Sequence, residues 1–360
     1  MPRTRTPRTA APRPAALRPT APRPMTRRLR TLAALAVVAL SAHAAVAQSK
    51  TGTTLVPALL IEPSARYSAQ GNAGATARDG VMAAYYNPGA LGFLESSSAE
   101  FSHSEWLADI NYNYAGVAVR RGAQTLSLSV TQLSSGDIDV RTPEQPEGTG
   151  ERYSVDDLVI GAGYGRQFTD RFAGGVQVKY VREQIWHSAT SALALDMGVI
   201  YVLPFKAVLG ASLTNFGTRS RFDGRDLRVR FDLDPDTFGD NDNLPAALET
   251  EDYALPIFFR VGMSVPVEVG ANSRVTLAAD AYQPSDNSNS LSVGGEWTYA
   301  DLISARAGYQ NLFLEDGQEG LTLGGGLQAT VSGLQVRADY AWGSHGELGD
   351  IQRLSVGLDF

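Results

Sequence analysis

The sequence predicts an all-β protein, a 14-stranded antiparallel transmembrane β-barrel with an N-terminal plug. Three observations predict it. Apolar and polar residues alternate with period two through fourteen segments. The connections between those segments sort by length, and the chain opens on a stretch chemically unlike the rest.

That opening stretch comes first in the chain. Residues 1–47 carry nine arginines and no carboxylate. Arg27, Arg28 and Arg30 make a basic region, Leu32 to Leu40 an apolar core too short to cross a bilayer, and Ala45-Val46-Ala47 a small-residue cleavage site before Gln48. This is the pattern of a secretory signal peptide. Met25 opens it, and residues 1–24 are mostly Pro, Arg, Thr and Ala, so Met25 is the expected start; a disordered basic tail is the alternative reading. From Gln48 onward 22 Lys+Arg face 38 Asp+Glu, a formal charge of 22 − 38 = −16, which argues against nucleic acid as a partner. With no cysteine, neither disulfides nor a metal–thiolate centre can stabilise the exported chain. No Pro/Ser/Gly linker divides it, and no later window holds the ~18 apolar residues of a transmembrane helix.

The strands follow at 98–106, 110–120, 123–134, 153–167, 171–183, 190–203, 206–217, 255–267, 273–283, 289–299, 302–311, 320–331, 334–342 and 352–360. In 334–342, Leu334, Val336, Ala338, Tyr340 and Trp342 fall on one face, and Gln335, Arg337 and Asp339 on the other. Leu193, Leu195, Met197, Val199 and Tyr201 oppose Asp196 and Gly198 in the same way, and Phe259, Val261, Met263, Val265 and Val267 oppose Arg260 and Ser264. Connections after strands 2, 4, 6, 8, 10 and 12 are tight, as at Arg121-Gly122 and Ser332-Gly333. Those after strands 3, 7, 9, 11 and 13 are mostly long and polar, reaching roughly 37 residues at 218–254. A membrane barrel sorts its loops this way, with short periplasmic turns and long outer loops, and the even strand count places both chain ends on the periplasmic side.

Bilayer physics then sets the facing of each strand. In hydrocarbon every backbone N–H and C=O must be paired internally, so strands can span only as a closed barrel. A Lys or Arg on the lipid side near midplane costs ~2–4 kcal/mol, so Lys179, Arg260, Arg306 and Arg337 must point into the lumen. Tyr180, Tyr201, Tyr309, Tyr340 and Trp342 suit interfacial girdles. The closing "RLSVGLDF" ends its alternation on Phe360, as an outer-membrane insertion signal does.

Residues 48–97 precede the wall, which runs from 98 to 360. They do not alternate, and their length suffices to fold inward and fill a lumen that fourteen strands leave open. Gly71 to Ala84 suits a short helix, Pro88 disfavours helical geometry at Asn87, and Gly89 permits a tight turn. Asn87, Pro88 and Gly89 thus read as the hatch turn, the corner between plug and wall. Val81, Met82, Tyr85, Tyr86, Leu91 and Phe93 are too apolar to leave in water.

The run "PSARYSAQGNAGATARDGVMAAYYNPGALGF" followed by "EFSHSEWLADINYNYAGVAV" resembles the PorV/PorQ family of outer-membrane proteins. Asn87-Pro88 matches the family's turn, with Gly89 where Ala is usual. "LTNFG" at 213–217 and "LPIFFRVG" at 255–262 resemble its paired mid-chain strands, and the architecture as a whole is similar to the FadL type. The likeness spans the mature chain and is most specific over 63–119. It implies a non-enzymatic role in the type IX secretion system: binding the C-terminal signal domains of secreted cargo, or partners in the translocon and the attachment complex. It also implies contact with outer-membrane lipid and no cofactor.

No catalytic constellation appears in the residues themselves. His103, His187 and His345 lack partner spacing for metal or triad chemistry and read as solvated surface. "GAGYGR" at 161–166 lies within a strand and lacks the last Gly of a dinucleotide fingerprint. The longest loop carries Asp232, Asp234, Asp236, Asp240 and Asp242, of which Asp232, Asp234 and Asp236 could gather around calcium, yet the twelfth-position Glu is missing: counted from Asp234, that position is Pro245. A solvated acidic loop is the other reading. Arg219, Arg221, Arg225, Arg228 and Arg230 give the same loop a basic first half, fitted either to partner contact or to internal neutralisation. The alternative function is a FadL-like transporter of hydrophobic molecules, which requires an apolar lumen, whereas Gln177, Lys179, Arg260, Glu296, Arg306, Arg337 and Asp339 are expected to make it polar.

Overall fold

The computed structural model describes residues 52–234, 236, 243–314 and 317–360. The leader-like stretch 1–47 with Met25, and Asp240 and Asp242 of the acidic loop, lie outside the described residues. Period-two alternation becomes fourteen strands: β1 Ser98–Glu105, β2 Asn111–Arg121, β3 Gln124–Ser134, β4 Val155–Thr169, β5 Phe172–Ile185, β6 Ser188–Val202, β7 Val208–Gly217, β8 Phe258–Glu268, β9 Ser273–Pro284, β10 Ser290–Tyr299, β11 Ile303–Leu312, β12 Leu321–Val331, β13 Leu334–Ser344 and β14 Asp350–Asp359. Each pairs antiparallel with its neighbours in sequence. β14 returns to β1 in a register running from Ser98↔Asp359 to Glu105↔Gln352, so the sheet has no free edge.

The inner and outer faces separate as lipid solvation requires. Leu126, Leu128, Leu193 and Leu277 are 56–62% exposed on the outside, while Lys179, Arg260, Arg306 and Arg337 are 4–7% exposed within. Outward aromatics collect towards the two rims, Phe168, Tyr201, Trp297 and Tyr299 at one and Tyr180, Phe216, Tyr309 and Tyr340 at the other. Leu128 lies mid-strand in β3, so Leu128→Arg should destabilise the barrel by about 2–4 kcal/mol, read as a lowered urea midpoint in lipid vesicles.

The longest loops share one rim, although 106–110, 285–289 and 345–349 there are no longer than 203–207 at the other. The turns 122–123, 170–171, 203–207, 269–272, 300–302 and 332–333 make a short-turn rim, and at the last of these Ser332 and Gly333 both adopt positive φ. The opposite, long-loop rim carries 135–154 and 218–257, which contain small hairpins pairing Ile138–Asp139 with Arg152–Tyr153 and Arg228–Phe231 with Leu244–Ala247. It also carries the two-residue turn Trp186-His187. β5 and β6 are 14 and 15 residues long, so their hydrogen bonding continues to the Ile185↔Ser188 pair.

Residues 52–97 run from one rim to the other inside the wall. Thr54 pairs with Ala254 of the longest loop, Val56 N–H donates to Glu183 at 2.8 Å, and the segment leaves the lumen where Ser97 and Phe360 exchange backbone hydrogen bonds. The two ends of the strand set, Ser98 and Asp359, lie together at the short-turn side. The first described residues lie at the long-loop rim, because an even strand count does not constrain a chain that threads the lumen.

The expected helix over Gly71–Ala84 is also absent. Within residues 52–97 only Ala65–Ser68 and Ala83–Tyr86 are α-helical, with 3₁₀ turns at Pro57–Leu60 and Pro88–Phe93. Gly71 and Gly80 take positive φ. The backbone N–H groups of Gly71, Ala75 and Met82 are bound instead by Thr322, Asp280 and Glu100 of the wall, so side chains of the barrel replace the helix ladder.

Candidate functional site

The inner wall is shaped to the N-terminal segment. A Cβ on Gly294 would collide with the main-chain oxygen of Gln70, one on Gly210 with that of Ala75, and one on Gly175 with that of Pro88. Glycine at these lumen-facing positions lets an irregular backbone lie directly on the sheet. Wall side chains then satisfy that backbone: Tyr112 OH donates to Ile61 O at 2.8 Å, Tyr282 OH to Asn72 O at 2.6 Å, and Ser212 Oγ and Arg260 Nη1 both to Tyr86 O. The Arg260 guanidinium lies over the rings of Tyr86, Phe258 and Tyr282, with centroids 5.0–5.2 Å away.

Ion pairs lock the same surfaces together. Glu296 of β10 receives Arg66 of the segment at 2.8 Å and Arg306 of β11 at 2.6 Å, and Arg306 continues to Asp339 at 2.6 Å. Arg66 also meets Asp79 at 3.0 Å and holds its carboxyl below the usual carboxylate range. Around them a polar cavity of about 270 Å³ opens at the short-turn rim. Farther along, burial pushes the Glu62 carboxyl up to about 7, with Glu319 reinforcing the shift and Arg353 opposing it. Between about 4.5 and about 7 the folded chain keeps a proton that the unfolded chain has lost, so this group's contribution to stability falls as pH rises through that window. Glu62→Gln should therefore stabilise by about 1–3 kcal/mol at pH 8 and leave stability unchanged at pH 4, compared by urea midpoints.

The other opening is apolar. At the long-loop rim a vestibule of about 1240 Å³ is bounded by Leu55 and Leu60 of the segment, Tyr153 and Trp186 of the wall and its turn, and Phe222 and Tyr253 of the longest loop. Asp139, Glu183, Asp226 and Asp286 also line it. Periodicity could not reveal this site, because four stretches distant in sequence build it.

Asn87, Pro88 and Gly89 are buried against the inner wall. Asn87 is extended (φ −158°, ψ 110°); its amide donates to Ala75 O at 2.8 Å and Val199 O at 3.0 Å, and its side-chain oxygen accepts from Gly89 N. Gly89 has no positive φ; its role is close approach, since a Cβ there would lie 3.0 Å from Gly198 O. The chain passes to the wall beyond them, at Leu94–Ser97, next to Phe360. In the longest loop Arg221 pairs with Glu249, Arg219 donates to Asp252 O, Arg225 to His187 and Arg230 to Asn243; Arg228 lies in the hairpin strand opposite Ala247. Asp232 and Asp234 accept the backbone N–H of Asp234 and Asp236, and among the described residues no three acidic or histidine side chains gather as a metal site.

Of the three histidines, His187 is exposed and His103 half-buried, while His345 departs from solvated surface. His345 is 6% exposed and packs on Trp106, His103 bonds Asn113, and His187 faces Asp226 at 3.0 Å. Residues 161–166 fall within β4, with Gly161, Gly163 and Gly165 facing the lumen.

In fold the chain is similar to a toluene transporter from Pseudomonas putida, TodX, at a TM-score of 0.53 and 13% identity over 83% of this chain and 97% of that one. It is similar also to the monoaromatic hydrocarbon channel CymD, at a TM-score of 0.54 and 12% identity over 84% and 98%. No curated protein sequence matches it. The family model of the type IX secretion system protein PorV matches residues 44–248, a span covering the N-terminal segment, the first seven strands and most of the longest loop. The chain therefore belongs to the PorV family and is an outer-membrane β-barrel of the type IX secretion system.

Proposed function

We propose that this barrel is a non-enzymatic docking protein, which receives the C-terminal signal domains of secreted cargo, or partners of the translocon and attachment complex, on its long-loop rim. In this reading residues 1–47 supply the cleaved leader, 48–97 the plug and 98–360 the wall; the long loops face outward and the short turns face the periplasm. Arg219, Arg221, Arg225, Arg228 and Arg230 belong to the contact loop, and Phe360 ends the strand read during insertion. One observation carries it: polar side chains bind the N-terminal segment along its whole lumenal path, while the large apolar cavity opens at the long-loop rim. A lumen occupied this way favours binding at the mouth over passage through the barrel.

The test is copurification of a cargo C-terminal domain with the detergent-extracted barrel. Capture should persist in the intact protein and fall at least tenfold when residues 222–253 are replaced by a Gly/Ser linker. Equal capture by both would overturn the reading. The aromatic lining of the vestibule and the fold shared with TodX and CymD favour transport of small apolar molecules as the second reading. Mass spectrometry showing such a molecule retained in the purified barrel would support that one instead.

A further inference from the structure

Glu183 and Asp286 line the vestibule floor, with Asp157 beside Glu183, and among the described residues no cation of the barrel pairs with these carboxyl groups. Asp157 and Glu183 stand directly opposite each other across β4 and β5, on the lumen face, 3% and 9% exposed. Like charges in a cross-strand pair repel, and buried carboxylates normally carry a cation. Among the described residues Glu183 accepts the Val56 N–H alone, Asp286, 7% exposed, accepts the Thr54 hydroxyl alone, and Oδ1 of Asp157 and Oδ1 of Asp286 have no partner. The two outer acids differ, since Asp139 meets Arg152 at 3.2 Å and Asp226 meets His187 at 3.0 Å. Among the described residues no ion pair reaches Asp157, Glu183 or Asp286, and no metal-binding group forms there. Tyr153, Trp186, Phe222 and Tyr253 line the same vestibule, and their faces attract both apolar groups and cations.

We infer that the vestibule takes a peptide segment carrying a Lys or Arg between apolar residues, the cation descending to Glu183 and Asp286 and its neighbours lying on the aromatic walls. The inference rests on the docking reading and names the chemistry of the docked segment. A peptide fits better than a small amine because about 1240 Å³ exceeds the ~300–1,000 Å³ typical of small-molecule pockets.

The probes are fluorescein-labelled heptapeptides of alternating Leu and Ser with Lys at the centre, and the same peptide with norleucine or Glu there, titrated by anisotropy into the full chain in detergent. The Lys peptide should bind at least tenfold tighter than the norleucine peptide, and the Glu peptide weakest. Glu183→Gln and Asp286→Asn each keep a carbonyl oxygen for Val56 N–H or Thr54 Oγ1, so the fold is retained, and together they should erase the Lys preference. Asp301→Asn, at the opposite rim, should keep it. Equal binding of the Lys and norleucine peptides, a preference that survives the double variant, or no peptide binding at all would overturn the inference. If the intact barrel still captures a cargo domain in that event, the docking reading stands and only its charge chemistry fails.

Discussion

Gly294→Val should unseat the N-terminal segment, whereas Gly295→Val, one residue along the same strand, should leave it in place. The two glycines look alike in sequence but face opposite ways. A Cβ on Gly294 meets the Gln70 backbone, which cannot swing aside, while one on Gly295 makes ordinary contacts with the Leu277 side chain at 3.4 Å and Thr276 O at 3.8 Å. Overpacking against a fixed backbone costs about 3 kcal/mol or more, and the clash recurs along the path, since Gly308 opposes Gly71 N and Gly210 opposes Ala75 O. The expected readouts are trypsin cleavage at Arg66 and Arg78 in the folded, detergent-solubilised barrel and raised ion conductance in planar bilayers, for Gly294→Val alone. Matching behaviour of the two variants would mean that the glycines do not seat the segment.

Lys179→Met should destabilise the barrel by about 3–5 kcal/mol, the cost of stranding a buried charge. Lys179 Nζ lies 2.8 Å from Asp196 Oδ2 with side chains 8% and 1% exposed. Asp196 Oδ1 accepts the backbone N–H of Asn215 at 2.7 Å, where the β6–β7 register shifts between Leu195 and Met197. The aspartate thus serves as both counter-ion and anchor for the irregular edge. Adding Asp196→Asn removes the stranded charge and should recover a large part of the loss, though not all, because the anchor is weakened. Urea unfolding followed by the gel shift between folded and unfolded barrel measures both variants. A loss below about 1 kcal/mol for Lys179→Met would show that water reaches the pair.

The wall was legible in the sequence because a strand between lipid and a wet interior has one physical rule, a solvent change every second residue. That rule located all fourteen strands, and it turned Lys179, Arg260, Arg306 and Arg337 inward from the cost of a charge in hydrocarbon alone. Loop parity followed from the same topology and holds clearly at 135–154 and 218–257, while 285–289 and 345–349 are no longer than the opposite rim's 203–207. Apolarity of Val81, Met82 and Leu91 likewise pointed to burial of the N-terminal segment.

What the sequence could not determine was where that segment goes and what it meets. Its conformation obeys no period, because its backbone hydrogen bonds are completed by Glu100, Asp280 and Thr322, residues far off in the chain. The position of its start at the long-loop rim, the placing of Asn87-Pro88-Gly89 against the inner wall, the burial of His345 and the acid-floored vestibule are all products of closure, which brings residues 55, 153, 186, 222, 253 and 286 to one mouth. Local pattern records the solvent on each side of a strand; only the closed ring decides which distant side chains share its interior.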